Sequence, residues 1–401
     1  MKHGLMSTCC NCILAVAFML GLGVFAAPRA QSQTFSVIYN FAGPRGDGGL
    51  PLAGLVIDAS GNLYGTASYG GSTYNGVVFK VTQGGQETVL YNFLGGTDGS
   101  TPEASLQMDS AGNLYGTTNA GGAFGFGTVF KLTQSGQETV LYSFAGGTAD
   151  GANPEGGLAV DRAHNIYGTT YAGGQYGAGT VFRLSTKGKE TVLYSFGNGT
   201  DGANPVAGVT LGSAGEIYGT TSAGGTGTYG TVFQLTPVTA TGSKYEEEIL
   251  HNFTHQNDGD VPYAGLILDR AGNLYGAATG GGANNGGTIF ELTPSASGWN
   301  FTVLYGLAGW DISGAFQNLF MDASGNIWGT THCDGSDEAG TVFELTNSGG
   351  TWNYTSMYVF TGGADGLYSI SNLVFDTQGN LYGTAEYGGA YNNGVVYKIT
   401  P

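Results

Sequence analysis

The amino-acid sequence predicts an all-β protein, a seven-bladed β-propeller of four-stranded antiparallel blades. The first observation behind this prediction is a motif, Gly61-Asn62-Leu63-Tyr64-Gly65-Thr66, that returns six more times. The steps between its successive aromatic residues are 51, 52, 51, 57, 53 and 54 residues, a spacing typical of propellers or solenoids. The second is that complementary strand segments occur at the two ends of the repeat array. The recurring aromatic residues are Tyr64, Tyr115, Tyr167, Tyr218, Tyr275, Trp328 and Tyr382.

Composition limits the number of domains and the class of partner. Copies of the same repeat cover nearly all of the 401-residue chain after residue 33. We therefore expect a single propeller domain over residues 31–401. Charged residues make up only 10% while glycine numbers 75, which fits short strands joined by tight turns. A net charge of −17 makes nucleic acid and anionic membrane surfaces poor partners, and leaves cations and neutral polar ligands.

Residues 1–30 are predicted to be a signal peptide. Lys2 precedes an apolar run over 13–27, and small residues follow it, so cleavage is expected after Ala26 or after Ala30. An uncleaved anchor is the alternative, but the run is short for a spanning helix, and no membrane span is predicted in the mature chain. The protein is therefore expected to be exported, to the periplasm, the cell surface or the medium. Only Cys333 of the four cysteines would remain, so stability must come from the packed core.

Each repeat unit contains four strand-like segments, called A to D in chain order. All are rich in β-branched and aromatic residues and are bounded by Gly, Asp or Asn, which is typical of short antiparallel strands. Leu63 and Tyr64 point to opposite faces of segment B, so each sheet is apolar on both faces and should lie between two others, as a blade does. Gly65 lies in mid-strand, and we expect close approach of the adjacent blade to require it.

The segment count predicts how the ring closes. Segments A, B and C occur seven times after Leu52, and D occurs six times between them. A seventh D segment, from Phe35 to Phe41, precedes the first A, and the last C segment covers Val395 to Thr400. We expect these two segments to pair and close the ring. An open solenoid would not explain why the D segment missing after the last C segment is found before the first A segment.

Loop lengths distinguish the two faces of the predicted ring. The A–B and B–C connections keep the same length in all seven units, whereas insertions occur between C and D. In an up-and-down blade the B–C and D–A loops lie on one face, which is therefore built from B–C loops of fixed length. We expect that face to meet a ligand.

Three motifs keep a constant register: "GNLYGT", Gly-Gly doublets such as Gly70-Gly71, and strands of the type "GTVFKL". In these motifs residues 34–401 resemble the GloVer tandem-repeat proteins, also called choice-of-anchor proteins. The resemblance implies an exported repeat protein of uncharacterised activity, often tethered to the cell surface by a separate anchor.

Two series of aspartates recur along the chain. Asp58 and its equivalents, in Asp-x-x-Gly, are expected to be turn residues that accept backbone N–H bonds. A second series lies in the D–A loops, mostly in Asp-Gly steps, and Asp98, Asp150 and Asp201 are its candidate metal ligands. Ca²⁺ prefers such oxygen ligands, but no loop has the alternating Asp and Asn residues of a self-sufficient calcium loop. No cofactor is therefore predicted, with Ca²⁺ as the alternative.

Aromatic residues are concentrated in the B–C loops, where Asn75, Asn392 and Asn393 accompany them. Rings beside amide and carboxylate groups fit the apolar faces and hydroxyl edges of a sugar. The alternative is that these rings pack over their own loops. The candidate ligand-binding residues are Tyr69, Tyr74, Phe124, Phe126, Tyr171, Tyr176, Tyr229, Tyr387 and Tyr391.

The sixth unit departs most from the repeat, with "THCDGSDEAG" at its B–C loop. Trp310 and Asp311 enter the same blade and join the ligand-binding candidates. His332, Cys333 and Asp334 are weak catalytic candidates, because neighbours on a strand point to opposite sides and drift in a redundant repeat is the alternative. No metal-ligand spacing, phosphate loop or nucleophile elbow occurs in the sequence.

These observations predict an exported, monomeric binding or interaction module whose partner is an extracellular glycan or protein. One alternative is a polysaccharide hydrolase or lyase that uses acids on the face with the fixed-length loops. The other is a purely structural cell-surface repeat protein.

Overall fold

The computed structural model describes residues 33–43, 45–238, 244–308 and 318–400. Within these ranges the chain is all-β, and seven four-stranded antiparallel sheets form the predicted β-propeller. The predicted signal peptide, together with Trp310 and Asp311, lies outside the described residues. No helix in the described ranges is long and apolar enough to cross a membrane.

The strands follow the predicted A to D order in every blade, with A innermost and D outermost. The first strand is β1 (Thr34–Asn40). Blade 1 contains β2 (Val56–Ile57), β3 (Leu63–Ala67), β4 (Val77–Val81) and β5 (Glu87–Asn92). Blade 2 contains β6 (Gln107–Met108), β7 (Leu114–Thr118), β8 (Thr128–Leu132) and β9 (Glu138–Ser143). Beside blade 3, β10 (Gly151–Ala152) pairs with β13 (Ala172–Gly173), and the blade itself contains β11 (Ala159–Val160), β12 (Ile166–Thr170), β14 (Thr180–Leu184) and β15 (Glu190–Ser195).

Beside blade 4, β16 (Gly202–Ala203) pairs with β19 (Ala223–Gly224), and the blade contains β17 (Thr210–Leu211), β18 (Ile217–Thr221), β20 (Thr231–Pro237) and β21 (Tyr245–Asn252). Blade 5 contains β22 (Ile267–Leu268), β23 (Leu274–Ala278), β24 (Asn285–Ser295) and β25 (Gly298–Ala308). Blade 6 contains β26 (Phe320–Met321), β27 (Ile327–Thr331), β28 (Thr341–Ser348) and β29 (Thr351–Val359). Blade 7 contains β30 (Val374–Phe375), β31 (Leu381–Ala385) and β32 (Val395–Thr400), with β1 as its outer strand.

The ring closes as predicted, because β1 supplies the outer strand of blade 7. It pairs antiparallel with β32, from Thr34 opposite Thr400 to Asn40 opposite Val395. The ring of Phe35 also stacks on Tyr358 of blade 6, with 3.9 Å between ring centroids. Both ends of the repeat array therefore belong to one blade, which leaves no unpaired edge on β32.

The core consists of apolar clusters between neighbouring blades. One cluster joins blade 7 to blade 1 through Tyr382, Leu63 and Phe79. The prediction that close approach of the adjacent blade requires Gly65 is wrong, because the residues that require it belong to the same blade. A Cβ atom at Gly65 would lie 2.7 Å from the ring of Phe79 in the same blade, because Phe79 is its direct cross-strand partner and folds over it. The glycine thus makes room for a ring within its own sheet.

A second inter-blade contact links the motif threonine to the next blade. The Oγ1 of Thr169 donates to the backbone oxygen of Ala207 at 2.7 Å, and both groups are buried. The same bond recurs between Thr66 and Ala104, Thr220 and Ala264, Thr330 and Ser371, and Thr384 and Ala53. In blade 2 the Oγ1 of Thr117 is buried without a hydrogen-bond partner. A hydroxyl group that is buried and satisfied stabilises its interface, whereas one that is unsatisfied does not.

One position near the start of each outer strand faces the preceding blade. The residue at this position is aromatic in some interfaces and a glutamate in the others. In three interfaces an aromatic ring stacks there, as Phe301 does on His251 (3.7 Å) and Tyr354 on Tyr305 (4.6 Å). In the other four the residue is a glutamate with one carboxyl oxygen that is buried and has no hydrogen-bond partner. These glutamates are Glu87, Glu138, Glu190 and Glu247.

The Asp-x-x-Gly turns have the predicted form. Asp58 accepts hydrogen bonds from the backbone of Ser60 and Asn62 (both 2.9 Å) and from the hydroxyl group of Tyr64 (2.9 Å). Burial opposes ionisation of this carboxyl, but these bonds outweigh it and lower its pKa. Asp58 is thus a structural residue that ties the turn to the motif.

Candidate functional site

The B–C and D–A loops lie together on one face, as the strand order requires. In most blades the two loops form a short ladder, for example Gly49 with Tyr69 and Ser100 with Ala120. The pairs β10–β13 and β16–β19 are the longest of these ladders. This surface is called the fixed-loop face below.

A belt of hydrogen bonds holds the loops of the fixed-loop face to one another. The backbone N–H of Thr101 donates to Asn75 in the preceding blade (2.9 Å), and its carbonyl oxygen accepts from Asn119 in its own blade (3.0 Å). Thr101 has a left-handed backbone with φ of 57°, which is uncommon for a β-branched residue and is sustained by these bonds. Residues in the same left-handed conformation occupy this position in six blades: Leu50, Thr101, Asn153, Asn204, Val261 and Tyr368.

The exposed aromatic rings of the described residues all lie in B–C loops of this face. The most exposed are Phe124 and Tyr391, each with 61% of its surface accessible. Tyr387 is half-buried. The other exposed rings belong to Tyr69, Tyr74, Phe126, Tyr171, Tyr176 and Tyr229. Because ordered loops leave these rings facing solvent, the face presents apolar planes without having to rearrange.

Several of these rings have neighbours that restrict their motion. The Nε of Arg45 donates to the hydroxyl group of Tyr74 at 2.6 Å, and the Tyr74 ring lies 6.0 Å from that of Tyr69. Tyr229 stacks on His255 with 5.2 Å between ring centroids, and His255 in turn contacts the carboxylate of Asp260. Held in this way, the rings lose little side-chain entropy on contact with a ligand.

A groove of about 490 Å³ lies between the B–C loops of blades 2 and 3. Phe126 and Tyr176 line it together with Thr148, Asn153 and Gln175. The side-chain amide of Asn153 donates to the backbone and side-chain oxygens of Asn119 (3.1 and 3.2 Å), so its N–H groups are engaged within the protein. Two aromatic residues and several polar residues in one groove are a combination that suits a sugar.

The mouth of the central channel carries two glutamates that were not among the residues predicted from the sequence. The side-chain amide of Asn119 donates to Glu103 (2.9 Å) and to Glu155 in the next blade (3.2 Å). Burial and the charge of Glu103 raise the pKa of Glu155 to about 7, and burial raises the pKa of Glu103. Both follow the proline of a D–A loop, where other blades have apolar residues, and that substitution is the signal that could have revealed them.

Below its mouth, contacts between the inner strands narrow the channel at some points. The backbone N–H of Gly54 donates to the hydroxyl group of Ser105 (3.0 Å), which also accepts from the side chain of Asn372 (3.2 Å). A Cβ atom at Gly208 would collide with the backbone of Gly157. A cavity of about 390 Å³ extends from Glu155 at the mouth along the inner strands of blades 3 and 4 as far as Val160 and Leu211, and residues of blades 2, 5, 6 and 7 complete its lining.

The sixth-unit candidates are close together, but their electrostatics do not favour a nucleophile. The Sγ of Cys333 lies 2.7 Å from Nδ1 of His332, a contact that strand alternation did not predict because β27 ends at Thr331. Burial raises the pKa of the Cys333 thiol and lowers that of His332, so the neutral forms are favoured. Asp334 accepts a hydrogen bond from Tyr354 at 3.1 Å.

The three metal-ligand candidates are engaged in their own loops. Asp98 accepts from the hydroxyl group of Tyr91 (3.1 Å) and the backbone of Leu94 (2.7 Å). Asp150 and Asp201 make the same type of contact, and in the described part of the chain no three His, Cys, Asp or Glu side chains are grouped as metal ligands. The prediction of a possible Ca²⁺ site at these aspartates remains a prediction.

Seven blades built from one repeat, with a rigid loop face that displays aromatic rings, define this protein as a tandem-repeat β-propeller. The model of the Gloeobacter/Verrucomicrobia repeat matches residues 21–214 and again residues 208–401. The chain therefore belongs to the Gloeobacter/Verrucomicrobia repeat family, which confirms the resemblance found in the sequence. No match was found among curated proteins.

The solved structures that are similar to this chain are distant in sequence. The extracellular domain of BT4673 from B. thetaiotaomicron, described as a one-component system, has a TM-score of 0.58 at 12% identity, over 90% of this chain and 39% of that one. A protein assigned as a gluconolactonase has a TM-score of 0.46 at 12% identity, over 92% of each chain. A gluconolactonase from Xanthomonas campestris has 0.41 at 15% identity, over 68% of this chain and 78% of that one. At such identities the likeness concerns the fold alone.

Proposed function

We propose that the protein is an exported binding module that recognises extracellular glycan through the fixed-loop face. The observation that carries the proposal is the concentration of exposed aromatic rings on this one face. Rings scattered by chance would also be found on the outer strands and on the opposite face. Loops tied to both neighbouring blades favour a preorganised surface, which lowers the entropic cost of binding.

The groove between Phe126 and Tyr176 is the first candidate subsite. A sugar ring placed there would present its apolar face to one ring and its hydroxyl groups to Asn153, Gln175 and Thr148. Neutral polysaccharide also fits the charge, because a chain with a net charge of −17 disfavours anionic polymers.

A glycan array followed by hydrogen–deuterium exchange tests this proposal. We expect at least one neutral glycan to bind, and its addition to protect amides of the B–C loops while exchange at the A–B and C–D turns is unchanged. Absence of binding across the array would refute the proposal and favour the purely structural alternative. Protection confined to the turns would refute the assignment of the face.

A polysaccharide hydrolase or lyase is the second candidate, and Glu103 and Glu155 are the observation that favours it. Two partly buried carboxyl groups with raised pKa values, joined through Asn119, resemble the acid and base pairs of such enzymes. Turnover on a panel of polysaccharides that disappears in Glu155→Gln but persists in Asp334→Asn would establish this function. Binding without turnover would leave the first proposal in place.

A further inference from the structure

The seven motif aromatics are equivalent positions, yet one of them differs from the rest. Six are buried against the next blade, from 1% exposed at Tyr382 to 8% at Tyr218. Tyr115 of blade 2 is only partly buried. Because the seven positions are equivalent, the greater exposure of Tyr115 indicates that the packing between blades 2 and 3 differs from the packing between the other blades.

Tyr115 is more exposed because the residue that packs over the motif aromatic in the other interfaces does not pack over it. In the other six interfaces the last residue of strand A in the next blade packs into the same apolar cluster as the motif aromatic. These covering residues are Ile57, Met108, Leu211, Leu268, Met321 and Phe375. At blade 3 the residue is Val160, the smallest of the seven, which is 43% exposed and lies outside the cluster of Tyr115.

Three interfaces also receive an aromatic ring from a long C–D hairpin. Trp299 lies edge-to-face against Tyr218 (6.1 Å) and Trp352 against Tyr275 (6.4 Å). Tyr245 packs in the cluster of Tyr167. Blade 3 has only a short turn between β14 and β15, so no ring of the described residues takes the corresponding place beside Tyr115.

The space left is a cavity of about 600 Å³ on the face opposite the fixed-loop face. Tyr115, Leu141, Ile166 and Leu184 give it an apolar wall. His164, which replaces a turn glycine, lies in the same lining. This volume is within the range of ordinary small-molecule sites.

The rim of this cavity is basic in a strongly acidic protein. Lys131 forms part of the wall, with its Nζ 5.5 Å from the centre of the Tyr115 ring. The turns that supply the rest of the rim carry three exposed cations, Arg162, Lys187 and Lys189. Together these are four of the twelve basic residues in the chain. The wall also contains two carboxylates, Asp109 and Asp161; burial opposes their ionisation, but hydrogen bonds within their own turns outweigh it and lower their pKa values, so both are ionised. The four cations therefore exceed the carboxylates of the wall by two.

We propose that the cavity between blades 2 and 3 is a binding site for a planar aromatic carboxylate. Its ring takes the place beside Tyr115 that Tyr245, Trp299 and Trp352 take in the equivalent interfaces, and its carboxylate faces Lys131. The internal rings define the shape of the ligand, and the basic rim defines its charge. The site is independent of glycan recognition, because it opens on the other face.

Isothermal titration with 4-hydroxybenzoate, and with 4-hydroxybenzyl alcohol as its neutral analogue, tests the proposal. We expect saturable binding of the acid, and binding of the alcohol weaker by about tenfold because the contribution of Lys131 is lost. Cyclohexanecarboxylate, which keeps the charge without the ring, should also bind more weakly. Absence of saturable binding of the acid, or equal affinity for all three compounds, would overturn the proposal.

Two variants identify the site. Val160→Phe should cover Tyr115 as Phe375 covers Trp328, occupy the part of the cavity beside that ring, strongly weaken binding of the acid and leave the melting temperature unchanged or higher. Lys131→Met should reduce affinity for the acid by about tenfold. Its matched control is Lys80→Met, because Lys80 lies over the buried Tyr64 in the same way, 5.7 Å from the ring centre. Unchanged affinity in a folded Val160→Phe variant, or equal losses in the two lysine variants, would refute the assignment.

Discussion

The four inter-blade glutamates predict that stability falls as pH rises from about 5 to about 8. Burial, and secondarily the charges of Asp47, Asp98, Asp150 and Asp201, raise the pKa values of Glu87, Glu138, Glu190 and Glu247 to about 7. Each folded-state pKa therefore lies above the unfolded value of about 4.3. Between these values the folded state binds more protons than the unfolded state, so raising the pH destabilises the fold.

The size of the effect follows from the pKa shifts. A shift of between two and three pH units corresponds to about 3 kcal/mol per glutamate. The glutamates are partly exposed, and solvent screening reduces this to about 1 kcal/mol each, or about 4 kcal/mol for the four. The loss should be complete once the pH exceeds the folded-state pKa of about 7.

Urea unfolding at pH 5, 6, 7 and 8 measures this loss. The variant in which all four glutamates are replaced by glutamine should lose the pH dependence that these four contribute, because an amide does not ionise, and keep the smaller part that Glu103 and Glu155 contribute. Glu246→Gln, an exposed neighbour in β21, is the control and should behave as the wild type. Stability that is constant or rises from pH 5 to pH 8, or an equal slope in the quadruple variant, would refute the reasoning.

Three further predictions concern the ring and its loops. Phe35→Ala should lower the free energy of unfolding by about 2 to 3 kcal/mol in urea titrations, because it removes the stack on Tyr358, whereas the exposed Ser36→Ala should cost little; equal effects would contradict the clasp. Thr169→Val should lower the free energy of unfolding by about 1 to 2 kcal/mol, whereas Thr117→Val should leave it unchanged, because only the hydroxyl group of Thr169 has an acceptor. A larger loss in Thr117→Val than in Thr169→Val would show that this hydrogen bond does not stabilise the contact between blades. Removing calcium with a chelator should leave the melting temperature unchanged, because Asp98, Asp150 and Asp201 are engaged within their loops, and a clear drop in calorimetry would show otherwise.

The fold could be predicted in detail because the same pattern of strand-forming segments occurs seven times in the sequence. Equal spacing predicted the blades, and the displaced D segment at Phe35 to Phe41 predicted the clasp with Val395 to Thr400. The reason for Gly65 was wrong, because a sequence shows that a side chain is missing but not which neighbour fills the space. In the structure that neighbour is Phe79, the cross-strand partner in the same sheet.

The candidate sites were less accessible from sequence because they depend on departures from the repeat. Position in the B–C loops placed the aromatic candidates on one face, but their exposure depends on hydrogen bonds between blades such as Thr101 to Asn75. Glu103 and Glu155 are 52 residues apart in the sequence and are joined only through Asn119. The open cavity depends on the size of Val160 relative to its six equivalents, a difference that has no meaning until the blades are packed.

We propose that the fixed-loop face binds a neutral glycan through its exposed rings. The most direct measurement is isothermal titration of an array-selected glycan into the wild type, the Phe126→Ala/Tyr176→Ala double variant and the control Val303→Ala. Val303 is similarly exposed, at 37%, but lies on an outer strand. We expect the double variant to lose affinity by about tenfold or more while the control keeps it. Equal affinity in all three folded proteins would contradict the claim.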